Sequence, residues 1–253
     1  MTKVNDIYSY IDSFAPFDTA EGFDNVGMLV GDSKAEVTKA VVSLDITVEV
    51  VEEAAEMGAE LIISHHPVIF SPLRSINNGS VVYHLIKHGI TAICAHTNLD
   101  KSPVFGVNTQ LASAMNLQNI GVSEISDILF EGYTCEPISA KDFAETIRKN
   151  LACECVAFTE GKNAVRKVGL CSGAGGSEIN AAIKSKCDAF VTGEMKHHEI
   201  LEANANGLSV YILGHYKSED VVIEPLCEKF RAEFKEVIFS KSKVFTDKIQ
   251  WSN

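Results

Sequence analysis

The stretch Ile62-Ile63-Ser64-His65-His66-Pro67 decides how the rest of the chain is read. An apolar run, Leu61 to Ile63, ends at two adjacent histidines, and Pro67 stops the strand from continuing normally. Buried strands of α/β proteins work this way: the strand holds a position, and the loop at its C-terminal end carries the chemistry. On extended chain two consecutive side chains point to opposite sides, so the pair is expected to serve two metal ions better than one. Taken alone, a His-His at a strand end is ordinarily a surface feature; the later sequence argues otherwise.

Outward from this strand a β/α rhythm is legible. Residues 3–14 read as a helix with Val4, Ile7, Tyr8 and Ile11 on one face. The segment 21–32 reads as a turn leading into a short apolar strand bracketed by glycines. Strands are expected at 40–44, 61–64 and 91–95. Helices are expected at 48–57, 81–88 and 107–115, with glycine as the left-handed cap past helix ends such as Gly58 and Gly89. Further on, extended chain is expected at 128–131, 132–135, 156–159, 167–171, 189–192, 208–213 and 236–239. Helices are expected at 140–150 behind Ser139, at 179–186, at 199–205, and as one long helix over 219–234 capped by Ser218. This alternation predicts an α/β protein of two interlinked α/β domains, with largely parallel or mixed sheets covered by helices. The expected division is residues 1–125 plus about 225–253 for the first domain and 126–224 for the second.

Composition bounds the function. The 253 residues are 46% hydrophobic and 22% charged, ordinary for a globular chain. Lys and Arg number 22 against 34 Asp and Glu, a formal charge of −12. Such an acidic surface disfavours a nucleic-acid backbone or an anionic membrane as the main partner. The N-terminus lacks a signal-peptide pattern, and no apolar run approaches the ~20 residues that span a bilayer. Seven scattered cysteines read as buried free thiols in a reducing cytoplasm, and Cys153-Glu154-Cys155 carries little weight as a redox or metal motif.

Three strand ends carry ligand-type residues: His65-His66, His96 with Asp100, and His215 with Glu219. In a parallel sheet the C-terminal strand ends share one edge, so positions far apart in sequence can converge. Imidazoles with carboxylates suit Zn, Fe, Mn or Co, and are enough to hold two ions with positions left for water. With Ser218 as a cap, His215 falls in the strand-to-helix loop and Glu219 in the first helical turn; were all five residues helical, the two would share a face. Gly173-Ala174-Gly175-Gly176 reads either as an anion cradle or as a tight turn without ligand. His197 and His198 read either as exposed loop residues or as substrate-contacting or acid/base groups. His84 and His88 lie in a helix and are assigned to no site. Neither a Gly-x-Ser-x-Gly, a CxxC nor an HExxH occurs.

Four segments together, 24–31 (DNVGMLVG), 64–67 (SHHP), 95–100 (AHTNLD) and 214–219 (GHYKSE), resemble the Nif-three-like family, whose members are dinuclear metal centre proteins also described as type 2 homologues of GTP cyclohydrolase I. The resemblance implies that His65 and Asp100 bind one metal, that His66 and His215 bind the other, and that Glu219 bridges both, with His96 a close neighbour and possible extra ligand. It also implies two α/β domains and a ring-shaped homohexamer. Longer relatives carry an inserted domain mid-chain, which 253 residues leave no room for. Tyr216-Lys217 departs from the family's pattern.

Two functional classes follow. One is a metal-dependent hydrolase that uses metal-activated water on a nucleotide or phosphoester. Its two divalent ions would be Fe, Zn or Mn; Glu219 would fix the pair, and His96, or His197 and His198, would move protons. The other is a non-catalytic metal-binding chaperone, sensor or assembly protein.

Overall fold

In the computed structural model, which describes residues 1–250, the apolar spacing Val4, Ile7, Ile11 and Phe14 winds into α1 (Val4–Phe14) and buries all four side chains. There follow β1 (Gly27–Val30), β2 (Lys39–Ser43) and α2 (Val48–Met57). Thr47 caps α2 by accepting the Val50 N–H, and Gly58 closes it at φ 65°. Then come β3 (Leu61–Ser64), α3 (Val81–His88), β4 (Thr91–Cys94) and the short, wholly buried α4 (Thr97–Asp100).

The middle of the chain runs α5 (Val107–Ala114), β5 (Gln118–Val122), β6 (Phe130–Ile138), α6 (Ala140–Asn150), β7 (Ala157–Thr159), β8 (Val165–Cys171), α7 (Ile179–Lys184), β9 (Ala189–Thr192), α8 (His197–Ala205), β10 (Ser209–Ile212) and α9 (His215–Glu219). The chain closes with α10 (Ile223–Glu233) and β11 (Ile238–Lys241). Two expectations are corrected here. The extended pieces at 128–135 are one nine-residue strand, β6, whose partner β5 carries almost no apolar signal. The single helix expected over 219–234 is broken into α9, a 3-10 turn at Asp220–Val222, and α10.

Contacts divide the chain into two compact units: Met1–Ser102 with Ile223–Thr246, and Pro103–Val222 with the residues from Asp247. The second unit therefore opens at Pro103, not near 126, because α5 packs on β5, β6 and β8. The first unit holds a five-stranded sheet in the order β1-β4-β3-β2-β11, parallel except for β1, which runs antiparallel to β4. Residues of α2 and α3 pack on it: Val50, Val51, Ala54 and Leu85 meet Val41 and Ile62. The second unit holds a six-stranded mixed sheet in the order β5-β6-β8-β9-β10-β7, with β8, β9 and β10 parallel. The pleat of β9 shows why this sheet is covered on both faces. Ala189 and Val191 join Phe143, Ile147 and Leu111 of α6 and α5, while Phe190 joins Ile179 and Ala203 of α7 and α8. Each fully buried Val, Leu, Ile or Phe side chain among them contributes about 1.5–3 kcal/mol.

All seven thiols are free; four are buried and Cys135 is exposed, against the expectation of burial throughout. Among the described residues no helix is long and apolar enough to cross a membrane.

Candidate metal centre

The register of the first sheet gathers the ligand-type residues. Ser43, Ser64 and Cys94 stand side by side at the C-terminal ends of β2, β3 and β4. The residues just beyond, Asp45, His65, His66 and His96, therefore share one edge. Because β1 is antiparallel and Gly27 pairs with Cys94, the start of β1 lies at that same edge and delivers Asp24. The backbone N–H groups of His65 and His66 donate to the carbonyls of Ser43 and Leu44 at 3.2 and 2.9 Å, the Cys94 thiol donates to the His65 carbonyl at 3.0 Å, and the Ser64 hydroxyl donates to the His66 carbonyl at 2.7 Å. This anchoring turns the chain after Ser64 so that the two histidines do not diverge as on a strand. Their rings lie 5.1 Å apart, and His96 stands 5.0 Å from His65 and 5.5 Å from His66.

One ring nitrogen from each of the three histidines lies within 4.8 Å of the others. The opposite nitrogens are occupied. Nδ1 of His65 faces the Ala95 carbonyl at 3.0 Å, Nδ1 of His66 faces Asp45 Oδ1 at 2.9 Å, and Nδ1 of His96 faces Asp24 Oδ1 at 2.9 Å. An ionised carboxylate and a carbonyl only accept hydrogen bonds, so each Nδ1 carries the proton. In the neutral ring the lone pair is then at Nε2, the arrangement that holds metal-ligating imidazoles in place. Asp100 is 7% exposed and sets Oδ1 3.6 Å from His65 Nε2, adding a carboxylate to the group.

Asp24 is the most strongly held acid here. Burial raises its pKa, but hydrogen bonds from His96 and from the Thr97 hydroxyl and N–H outweigh this and hold the carboxyl well below the usual range. A charged Asp24 in turn orients His96. Asn98, fully buried, accepts the His96 N–H and donates to the Ala15 carbonyl, fixing the turn that carries the ring.

The second sheet repeats the device. Cys171, Thr192 and Ile212 align at the ends of β8, β9 and β10, and the chain beyond them supplies Gly173, Glu194 and His215. Gly214, not Ser218, is the N-terminal cap of α9. His215 and Glu219 are consequently both helical and share a face, with Nε2 3.1 Å from Glu219 Oε2 and Nδ1 3.3 Å from Glu194 Oε1. Ser218, buried inside the turn, donates to the His215 carbonyl and accepts the Gly173 N–H.

The glycine turn is explained by this packing. Gly173 has φ +57°, and a Cβ there would stand 2.2 Å from Glu219 Oε1. Its N–H goes to Ser218 and that of Gly175 to the Thr192 hydroxyl, so two of the amides an anion would need are already committed. The turn supports the His215–Glu219 pair. His197 and His198 open α8 and are exposed, and their side chains make no hydrogen bond or ion pair with other described residues. Asp24, Asp45 and Glu194 are partners of the histidines that the sequence analysis does not assign. Asp45 and Glu194 follow parallel strands as the histidines do, and that position was the available signal.

Against known proteins, residues 2–248 match the profile of the family described as Duf34/NIF3 (NGG1p interacting factor 3). A Clostridium perfringens protein named GTP cyclohydrolase 1 type 2 homolog is 32% identical over 98% of this chain and 99% of its own. A Campylobacter jejuni protein of the same name is 30% identical over 95% and 97%. Staphylococcus aureus relatives align over 366 positions at 26% identity, and the excess over the 253 residues here is an insertion on their side. Among solved structures, Staphylococcus aureus protein SA1388 superposes with a TM-score of 0.91 at 26% identity, covering 99% of both chains. Reduced HcgD from Methanocaldococcus jannaschii gives 0.81 at 27%, over 95% and 97%.

Proposed function

Because this chain belongs to the Duf34/NIF3 family, we propose that it is a metal-dependent hydrolase acting on a nucleotide or phosphoester, with GTP the first substrate to try given its relatives' name. The observation that carries this reading is the trio His65, His66 and His96, whose ligand atoms lie within 4.8 Å of one another and whose Nδ1 atoms each face an acceptor, so that in the neutral ring the lone pair is at Nε2. The donor set fits a divalent transition metal: neutral imidazoles, buried carboxylates and no thiolate.

In this reading His65 and Asp100 hold one ion, as the family resemblance implies. The same resemblance assigns His66 and His215 to a second ion and Glu219 to both. Bound divalent metal supplies an acidified water and polarises a substrate oxygen. The residues of this chain do the rest. Asp45 and the Ala95 carbonyl fix two rings, Ser218 and Gly173 hold Glu219 in place, and His96, oriented by Asp24, takes or returns a proton at Nε2 or serves as a further ligand. The resemblance also supports a homohexamer, and the seven free thiols support a reducing cytoplasm as its location.

The test is turnover of GTP and a panel of phosphoesters by metal-reconstituted protein, beside His96→Ala and Glu219→Gln. Hydrolysis that falls at least 100-fold in both variants supports the reading. Bound metal with no turnover of any compound would replace it with the metal-binding assembly role.

A further inference from the structure

The first unit carries a second ligand group away from the strand edge. Glu52 lies on α2, and His84 and His88 are one turn apart on one face of α3. Nδ1 of His84 is 2.7 Å from Glu52 Oε1, and Nε2 of His88 is 3.3 Å from the same oxygen. One ligand atom from each of the three residues lies within 4.8 Å of the others. The far nitrogen of His84, Nε2, faces the Asn78 carbonyl at 3.1 Å.

The geometry of His84 is the informative part. A carbonyl only accepts, so Nε2 carries a proton, and in the neutral ring the lone pair is then at Nδ1, pointing at a carboxylate oxygen 2.7 Å away. Two acceptors at that separation need a positive centre between them, either a second proton or a metal ion. His88 brings a third ligand atom to the same point. Ligands about 2.0–2.2 Å from a tetrahedral ion stand about 3.3–3.5 Å from each other, which the His88–Glu52 separation meets and the His84–Glu52 pair reaches by a small side-chain shift. His84 is half-buried, His88 is exposed and the Glu52 carboxylate is partly exposed, so a fourth position opens to water. The Asn78 carbonyl plays the part that Ala95 plays for His65: it sets the tautomer that presents the lone pair.

We propose that Glu52, His84 and His88 form a separate two-histidine, one-carboxylate site for a single divalent transition metal of the Zn, Co or Ni class. Bound there, the ion clamps α3 to α2 and ties the turn containing Asn78 to both. The site is independent of the histidines at the strand edge, and its test does not depend on hydrolysis.

Equilibrium dialysis against Zn(II), with Co(II) absorption as a second probe, decides the matter on the full chain. The double variant His84→Gln/His88→Gln and the single variant Glu52→Gln are compared with the unsubstituted protein. The expected result is one equivalent of Zn(II) fewer in the double variant and at least tenfold weaker retention of that equivalent in Glu52→Gln, with the remaining metal unchanged. The Co(II) spectrum should lose one tetrahedral component. Equal metal content and the same Co(II) spectrum in all three proteins would overturn the proposal and leave a proton between His84 and Glu52. Glu52 is partly exposed, so its variant remains informative if the double variant fails to fold.

Discussion

Replacing Gly173 by alanine should damage the proposed metal centre far more than the same change at an equally strained glycine elsewhere. Gly58, the cap of α2, has φ +65° and a Cβ there would meet only the end of Lys39 at 3.9 Å. Gly58→Ala therefore reports the left-handed backbone cost alone, about 1–2 kcal/mol. Gly173 has nearly the same φ, +57°, but its Cβ would stand 2.2 Å from Glu219 Oε1 and 3.4 Å from His215 Cε1. The carboxylate must retreat by about 1 Å to restore van der Waals contact, and overpacking of this kind adds about 1–3 kcal/mol. Glu219 is 3% exposed, so it has little room to retreat into. Gly173→Ala should lose about 2–5 kcal/mol in urea denaturation, Gly58→Ala about 1–2, and only the former should retain metal at least tenfold more weakly in equilibrium dialysis. Equal losses of stability, or full metal retention in Gly173→Ala, would refute the reasoning.

Asp45→Asn leaves His66 without its carboxylate partner and should weaken metal retention about 10–100-fold with little change in fold, read by dialysis and circular dichroism. Asp24 has its folded pKa depressed, so the stability it contributes is present above its unfolded value near about 4 and is lost as the pH falls below that. Urea midpoints between pH 7 and pH 3 should show this loss, and Asp24→Asn should lack that part of it. Burial pushes the thiols of Cys187 and Cys227 up to about 12, leaving about one thiolate in ten thousand at pH 8, so iodoacetamide should modify exposed Cys135 well before either, as peptide mapping would show. Tyr211 is fully buried against Phe143 and donates to the Ala140 carbonyl at 3.1 Å; Tyr211→Phe should cost about 1 kcal/mol in urea denaturation.

What the sequence carried clearly was local. Gly58 and Gly89 close α2 and α3 as expected, and the apolar runs at Leu61–Ser64 and Ala189–Thr192 are strands with those bounds. What it hid depends on pairing between distant segments. Asp24 reaches His96 only because β1 enters the sheet antiparallel beside β4, and nothing in residues 24–30 states that order. The divergence expected of His65 and His66 presumed extended chain, whereas the hydrogen bonds to Ser43, Leu44 and Cys94 bend the backbone after Ser64. Ser218 looks like a cap in sequence, with two acids after it, but its hydroxyl is spent on Gly173 and His215, and Gly214 at φ 84° starts the helix instead. β5 escaped notice because its side chains are mostly exposed and its register to β6 is irregular.

The most direct test of a dinuclear centre is metal counted per chain by elemental analysis, in protein carrying His84→Gln and His88→Gln so that the α2–α3 group does not contribute. The account predicts about two equivalents of Fe, Zn or Mn, dropping by at least one when His65 or His66 is also replaced by alanine. No bound metal after reconstitution, or a content unmoved by those substitutions, would contradict it.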